Sequence, residues 1–263
     1  MTEAMLRSAI FFARWLEEKQ MNRTEKPVLI IQMGQPPAPI AADVGQQSDW
    51  FRSALAQLEL GELLIVRPDL NEALPPPSSL TAAIVTGSWA MVTDRLAWSE
   101  RTGAWLRQAV DEQLPLLGVC YGHQLLADAL GGTVTDNPQG KEVGLETVSL
   151  APLAAQDTLL SALPTHFSAY LTHLQSVVTP PPGAQVLASS ALDGCQILRY
   201  SPTALSFQFH PEMDASVMNA CLRNHRQPPL TVQEEPRWAR RLLVEFVRQA
   251  RLARPAAARA GSE

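Results

Sequence analysis

The chain has 263 residues, of which 46% are hydrophobic and 18% charged, and its 21 Lys and Arg against 26 Asp and Glu give a formal net charge of −5. A chain of this length can bury a large core, and its high apolar content and low net charge exclude an intrinsically disordered protein. The mild acidity gives no electrostatic reason to expect nucleic acid as a partner.

Hydropathy and cysteine content also limit where the protein works. No apolar run approaches the roughly 18 to 20 residues of a membrane-spanning helix, and the short apolar stretch over residues 9–13 lacks the pattern of a secretory signal. Three cysteines (Cys120, Cys195 and Cys221) form no C-x-x-C pair and cannot build a disulfide framework. A cytoplasmic protein with no membrane partner is therefore expected.

Three segments are predicted along the chain. Residues 1–26 form an N-terminal helical extension, because apolar side chains recur at helical spacing over residues 5–20. Residues 27–252 form one domain. Residues 253–263, rich in alanine, form a mobile tail.

The first half of the predicted domain alternates between apolar runs typical of buried strands and amphipathic stretches typical of helices. The predicted strands cover residues 28–33, 63–66, 82–85 and 116–119, and the predicted helices cover residues 49–60, 100–113 and 121–130. Such alternation is typical of a parallel sheet with helices on both faces.

After residue 132 the pattern changes to short strand-like runs. Strands are predicted over residues 145–150, 185–189, 196–200 and 204–209, and helices over residues 213–225 and 236–252. Asp193-Gly194 between two of these runs predicts a hairpin turn. The expected fold class is therefore α/β: a single domain with a mostly parallel central sheet flanked by helices, plus a few antiparallel strands.

A cysteine occupies the junction between a buried strand and a helix. Gly118 and Gly122 stand two residues before and after Cys120. A tight strand-to-helix turn leaves room only for small residues at those positions, and the helix N-terminus favours a thiolate over a thiol. An isolated cysteine is more often a buried small hydrophobe, but this setting favours a nucleophile.

The sequence Phe-Gln-Phe-His-Pro-Glu over residues 207–212 offers the base that a thiol nucleophile needs. An alternating strand is predicted to deliver His210 at its end, and Glu212 can hold one ring nitrogen while the other faces the thiol. The alternative is a surface histidine beside a helix-capping glutamate. An α/β-hydrolase would place its acid well before its histidine, which argues against that fold.

Two segments, Gly-Val-Cys-Tyr-Gly-His-Gln over residues 118–124 and Phe-His-Pro-Glu over residues 209–212, resemble the signatures of class I, triad-type glutamine amidotransferase domains. The resemblance extends from about residue 28 to about residue 250. Within the family the chain is most similar to stand-alone GMP synthase-like glutaminase domains. The resemblance implies the flavodoxin-like sheet of that family.

The resemblance also implies catalytic roles. Cys120 would be the nucleophile, His210 the general base and acid, and Glu212 the residue that orients His210. The backbone N–H groups of Tyr121 and Ser88 would form the oxyanion hole. Ser88 stands where the family has the second glycine of a Gly-Gly loop.

Substrate contacts are implied in the same way. The side chain of Gln124 would contact glutamine, and the backbone at Leu174 and Gln175 would meet its α-amino and α-carboxylate groups, although the family usually has Gly and Asp at these two positions. His173 is expected to support that loop and His123 to pack in the core.

No metal and no cofactor are expected. The five histidines lack the spacing of a metal site, and the chain has no G-x-x-x-x-G-K-[ST] phosphate loop. Cys195 and Cys221 have no neighbouring base in the sequence and are expected to pack as inert side chains.

The expected function is hydrolysis of the γ-amide of glutamine through a cysteinyl thioester, with ammonia passed to an acceptor or to a synthetase partner. Hydrolysis of other γ-glutamyl amides or peptides by the same triad is an alternative, because only the leaving amine differs. A non-catalytic regulatory protein on the same fold is a further alternative.

Overall fold

The computed structural model describes residues 26–58, 60–61, 63–231 and 235–253. The helix predicted over residues 5–20 and all but the first residue of the predicted tail lie outside these ranges. The three predicted segment boundaries accordingly stay predictions.

Six α-helices and eleven strands follow one another along the described chain. The helices are α1 (Ala38–Val44), α2 (Gln47–Ala54), α3 (Ala97–Asp111), α4 (Tyr121–Ala129), α5 (Ala215–Asn224) and α6 (Arg237–Leu252). The strands are β1 (Val28–Ile31), β2 (Leu63–Val66), β3 (Ala82–Val85), β4 (Leu116–Val119), β5 (Thr133–Asp136), β6 (Glu142–Leu150), β7 (His166–His173), β8 (Gln175–Thr179), β9 (Gln185–Ser189), β10 (Ile197–Arg199) and β11 (Ala204–Phe207).

The main sheet has nine strands in the order β2-β1-β3-β4-β11-β10-β9-β6-β7. The first five are mutually parallel, which confirms the predicted parallel sheet. The other four strands pair antiparallel, in agreement with the antiparallel strands expected beside the parallel part. Strands β5 and β8 form a separate antiparallel pair.

Apolar side chains on both faces of the central strands form the core. In β1, Val28 and Ile30 belong to the cluster under α6, whereas Leu29 and Ile31 belong to the cluster under α3 and α4. A strand buried on both faces has a continuous apolar sequence, which is why the central strands were predictable. None of the helices in the described ranges is long and apolar enough to span a membrane.

Several elements differ from the expectation. Helix α1 and strands β5, β7 and β8 were not predicted, because α1 has only seven residues and the three strands mix polar and apolar side chains. The strand predicted over residues 204–209 ends at Phe207. Beyond it the backbone N–H of His210 donates to the carbonyl of Tyr170 at 2.8 Å, so the chain turns from β4 toward β7.

The predicted hairpin joins β9 to β10, which pair antiparallel as expected. Its connection is wider than a two-residue turn. Ser190 N donates to the carbonyl of Asp193 at 2.8 Å, and Cys195 N donates to the Asp193 carboxylate at 2.8 Å. These bonds close a loop over residues 190–196 at the end of the sheet.

Candidate active site

The turn between β4 and α4 holds Cys120 in a strained conformation. Its backbone angles are φ 51° and ψ −104°, a region of backbone conformation that residues other than glycine rarely adopt. A methyl group at Gly118 would lie 2.4 Å from the Gly122 carbonyl oxygen, and one at Gly122 would lie 2.5 Å from the Val85 carbonyl oxygen. The predicted need for glycine on both sides of the cysteine is confirmed.

Hydrogen bonds to the neighbouring strands hold the turn. Cys120 N donates to the Phe207 carbonyl at 2.8 Å, and Gly122 N donates to the Thr86 carbonyl at 3.1 Å. The thiol therefore stands at the carboxyl end of the parallel sheet, at the N-terminus of α4. Cys120 is 6% exposed, and its Sγ lies 4.0 Å from the carbonyl oxygen of Thr172.

His210 and Glu212 form a buried pair just beyond β11. The Nδ1–H of His210 donates to Oε1 of Glu212 at 2.8 Å, with both side chains at most 4% exposed. Arg240 on α6 donates to the carbonyl oxygens of Glu212 at 3.3 Å and of Met213 at 3.0 Å. The arginine thus fixes the backbone that carries the carboxylate.

His210 faces Cys120 across Gly87. A methyl group at Gly87 would lie 3.1 Å from Cε1 of His210 and 3.6 Å from Cβ of Cys120. The Nε2 of His210 is buried and makes no hydrogen bond within the described residues. Burial opposes charge on the imidazole, but the charges of Glu212 and Cys120 outweigh it and raise the pKa of His210 to about 10. The structure thus brings the three predicted residues together.

A second histidine–carboxylate pair lies nearby but cannot serve a thiol. His173 has Nδ1 2.9 Å from the Gln175 carbonyl and Nε2 2.9 Å from the Glu142 carboxylate, so both nitrogens face oxygen acceptors. Both ring nitrogens are therefore held by protein oxygens, and neither is directed at a thiol. Burial raises the pKa of the Cys195 thiol to about 11, which keeps that cysteine uncharged.

The backbone at Gly87 and Ser88 is held from one side. Gln47 Nε2 and Thr86 Oγ1 each donate to the Gly87 carbonyl oxygen at 2.9 Å. The C=O and N–H of a trans peptide unit point in opposite directions, so the Ser88 N–H points away from these donors. Within the described residues, neither Ser88 N–H nor Tyr121 N–H donates to a protein acceptor.

A cavity of about 160 Å³ opens beside the thiol. Seven residues of the predicted site line it: Ser88, Cys120, Tyr121, Gln124, Leu174, Gln175 and His210. Glu212 does not line the cavity and contacts His210 through the Nδ1 hydrogen bond. Four apolar residues also line the cavity: Trp89, Ala90, Met91 and Met213. Among the described residues, no aspartate or glutamate lines the cavity.

Gln124 and Gln175 link the nucleophile helix to the loop before β8. Gln124 Nε2 donates to the Gln175 carbonyl at 2.6 Å and to Gln208 Oε1 at 3.0 Å. Gln175 Nε2 donates to Thr93 Oγ1 at 2.7 Å and to Asp136 at 3.1 Å. The Gln175 side chain is therefore held by the protein, while its backbone borders the cavity.

The remaining histidine and cysteines of interest are buried outside the cavity. His123 Nδ1 lies 2.6 Å from Ser206 Oγ, and burial, with a contribution from His173, lowers its pKa to about 3, so it stays neutral. Burial raises the pKa of Cys221 to about 12. These features agree with the packing roles expected for His123, Cys195 and Cys221.

One group in the described ranges has the donor set of a cation site: Glu142, His173 and Asp193, with ligand atoms within 4.8 Å of one another. The Glu142 carboxylate already accepts hydrogen bonds from Ser190, Gln196 and His173. The group is therefore explained as a buried hydrogen-bond network that supports the 173–175 loop.

Sequence reasoning missed several residues that line the cavity: Gln47, Trp89, Lys141, Thr172, Met213 and His225. Lys141 stands immediately before β6. Trp89, Thr172 and Met213 directly adjoin residues that the sequence did indicate, whereas no motif marks Gln47 or His225.

A thiol on a strand-to-helix turn, a histidine–glutamate pair beside it and a cavity at the end of a parallel sheet define an amidotransferase-type α/β protein. The family model for class I glutamine amidotransferases matches residues 60–226. The chain belongs to this family.

Several curated relatives carry GMP synthase names. A subunit of the glutamine-hydrolysing GMP synthase of Sulfurisphaera tokodaii is 39% identical over 100 residues, which are 38% of this chain and 51% of that one. The corresponding Saccharolobus solfataricus protein is 38% identical over 104 residues, 38% of this chain and 52% of that one. The match thus spans about half the length of these relatives.

Solved structures show the same fold over most of the chain. A glutamine amidotransferase from Methylobacillus flagellatus has a TM-score of 0.68 at 24% identity, covering 86% of this chain and 95% of that one. One from Thermotoga maritima has a TM-score of 0.69 at 20% identity, covering 85% and 97%. The predicted fold class is confirmed.

Proposed function

We propose that the protein hydrolyses the γ-amide of glutamine with Cys120, His210 and Glu212 as its catalytic triad. One observation carries the proposal: a cysteine on a strained turn faces a buried histidine whose far nitrogen is held by a glutamate at 2.8 Å. Acyl transfer by a thiol needs a base beside the nucleophile and a third group that orients the base.

The reaction has two steps. The Cys120 thiolate attacks the γ-amide carbon, the C–N bond breaks, and protonated His210 gives its proton to the departing ammonia. A γ-glutamyl thioester remains. His210 then takes a proton from water, the resulting hydroxide attacks the thioester carbonyl, and glutamate leaves as the thiolate returns.

The oxyanion of each tetrahedral intermediate would be stabilised by the N–H groups of Tyr121 and Ser88. Tyr121 follows the nucleophile at the start of α4, and Ser88 borders the same cavity. The hydrogen bonds of Gln47 and Thr86 to the Gly87 carbonyl determine the orientation of the peptide unit that carries the Ser88 N–H. In this arrangement the hole is formed before substrate binds, which lowers the reorganisation needed during reaction.

The ammonia would pass to a separate acceptor-modifying polypeptide. Relatives named as one subunit of GMP synthase support this proposal, since such a name implies that another polypeptide completes the enzyme. Three free cysteines fit a reducing, cytoplasmic setting.

Hydrolysis of a substituted γ-glutamyl amide is the second candidate. The apolar side chains of Trp89, Met91 and Met213, which line the cavity, would favour a leaving group larger than ammonia. The chemistry at Cys120 would be the same.

Glutamate release from glutamine by the purified chain, measured by mass spectrometry, tests the proposal. The wild type should release glutamate, and Cys120→Ala should release none. A tenfold or greater preference in kcat/KM for a substituted amide, about 1.4 kcal/mol of transition-state discrimination, would favour the second candidate. Absence of turnover together with no reaction of Cys120 with a glutamine-mimicking electrophile would favour a regulatory role instead.

A further inference from the structure

A lysine lies at the cavity without a carboxylate partner. Lys141 lines the same cavity as Cys120, and its Nζ donates to Nδ1 of His225 at 2.9 Å. Within the described ranges no ion pair joins Lys141 to an aspartate or glutamate. Because no acidic residue of the described ranges lines the cavity either, this positive charge is available to an anionic ligand.

His225 orients the lysine. Its Nε2 lies 3.2 Å from Thr172 Oγ1, so the Nε2–H can donate to the threonine while Nδ1 accepts from Lys141. Burial and the neighbouring Lys141 charge both lower the pKa of His225, which keeps the imidazole neutral and able to accept. The carbonyl of the same Thr172 lies 4.0 Å from Cys120 Sγ, so this chain of contacts leads directly to the nucleophile.

Strand register places the lysine beside one end of the substrate site. In the antiparallel pair β6–β7, Glu142 lies opposite His173 and Val143 opposite Thr172. Glu142 and His173 point into the buried network, so alternation puts Lys141 on the other face, with Thr172 and Leu174. Lys141 is the one lysine or arginine among the described residues that line the cavity, and glutamine carries a single carboxylate besides its reacting amide.

We propose that Lys141, oriented by His225, forms a subsite for the free α-carboxylate of a glutamyl substrate. An ammonium–carboxylate hydrogen bond is stronger than one between neutral groups, so the subsite would select L-glutamyl compounds with an unblocked α-carboxylate. The inference rests on the proposed function and specifies the substrate class of that same site.

The test compares two electrophiles that alkylate Cys120: 6-diazo-5-oxo-L-norleucine, which carries the α-carboxylate of glutamine, and iodoacetamide, which is neutral. Lys141→Met should lower the rate constant for labelling by 6-diazo-5-oxo-L-norleucine about tenfold or more. The rate constant for labelling by iodoacetamide should stay within about twofold of the wild-type value. Lys141→Arg should restore most of the loss. Lys26→Met is the matched control, because it removes one positive charge at an exposed position. Both electrophiles should label it at the wild-type rate.

Three results would overturn the subsite. The first is that Lys141→Met is labelled by both electrophiles at the wild-type rate. The second is that both labelling rates fall equally, as a structural defect would produce. The third is a loss of kcat/KM for γ-glutamylglycine but not for glutamine in turnover assays, which would place the bound carboxylate on the leaving amine. Failure of the proposed function gives a different pattern, because the wild type itself would then release no glutamate and resist the glutamine mimic.

Discussion

Gln47 donates from its side-chain amide to the carbonyl oxygen of Gly87 at 2.9 Å, although the two residues are forty positions apart. Gln47 is buried at the start of α2, and Gly87 lies in the loop after β3. The bond fixes the direction of the peptide unit between Gly87 and Ser88. A side chain far away in the sequence thus sets the direction of a backbone N–H proposed to stabilise the oxyanion.

Gln47→Leu is expected to lower kcat about tenfold with a much smaller change in KM. The substitution removes a hydrogen bond that orients an oxyanion donor, and loss of such a donor itself costs about 100- to 1,000-fold. Steady-state glutamate release measures both constants. Gln57→Leu, at an exposed position after α2, is the matched control, and an equal effect in both variants would contradict the positioning role.

Cys120→Ala should abolish glutamate release and leave the protein folded, because a methyl group fits where the thiol stands. Activity is followed by mass spectrometry, and folding by circular dichroism and thermal unfolding. Cys221→Ala is the control, since that thiol is buried and its pKa is raised. Residual turnover in Cys120→Ala at the wild-type rate would show that another group is the nucleophile.

Glu212→Gln should lower kcat by one to two orders of magnitude and change how stability depends on pH. In the wild type the folded-state pKa of His210 is raised from 6.5 to about 10. The interaction of protonated His210 with Glu212 therefore stabilises the folded state fully below about pH 6.5, and this stabilisation is lost as the pH rises toward 10. The variant should lose less free energy of unfolding over that interval. Urea denaturation at several pH values measures it, and identical pH profiles would refute the coupling.

Gly122→Ala should destabilise the fold by about 1–3 kcal/mol or more, because the added methyl would lie 2.5 Å from the Val85 backbone oxygen. Thermal and urea unfolding measure the loss. Gly194→Ala is the control, since no atom lies within 4 Å of the corresponding methyl position. A Gly122→Ala protein as stable as Gly194→Ala would mean that the turn can relax.

Local sequence was sufficient for the parts of the site that depend on neighbouring residues. The strand before Cys120, the helix after it and the two glycines all lie within a few residues, and steric crowding acts over that distance. His210 and Glu212 are two residues apart, so their hydrogen bond could also be anticipated. The buried parallel strands were predictable from their apolar runs, because burial on both faces requires such runs.

Tertiary structure decided what distant segments contribute. Lys141 meets His225 only because β6 pairs with β7 and α5 ends beside them, and the two residues are 84 positions apart. Likewise Gln47 reaches Gly87, and Tyr170 accepts from His210, across contacts that no local periodicity encodes. The sequence by itself determined the nucleophile turn and the central sheet through short-range sterics and burial, whereas the walls and charges of the cavity depend on packing between elements far apart in the chain.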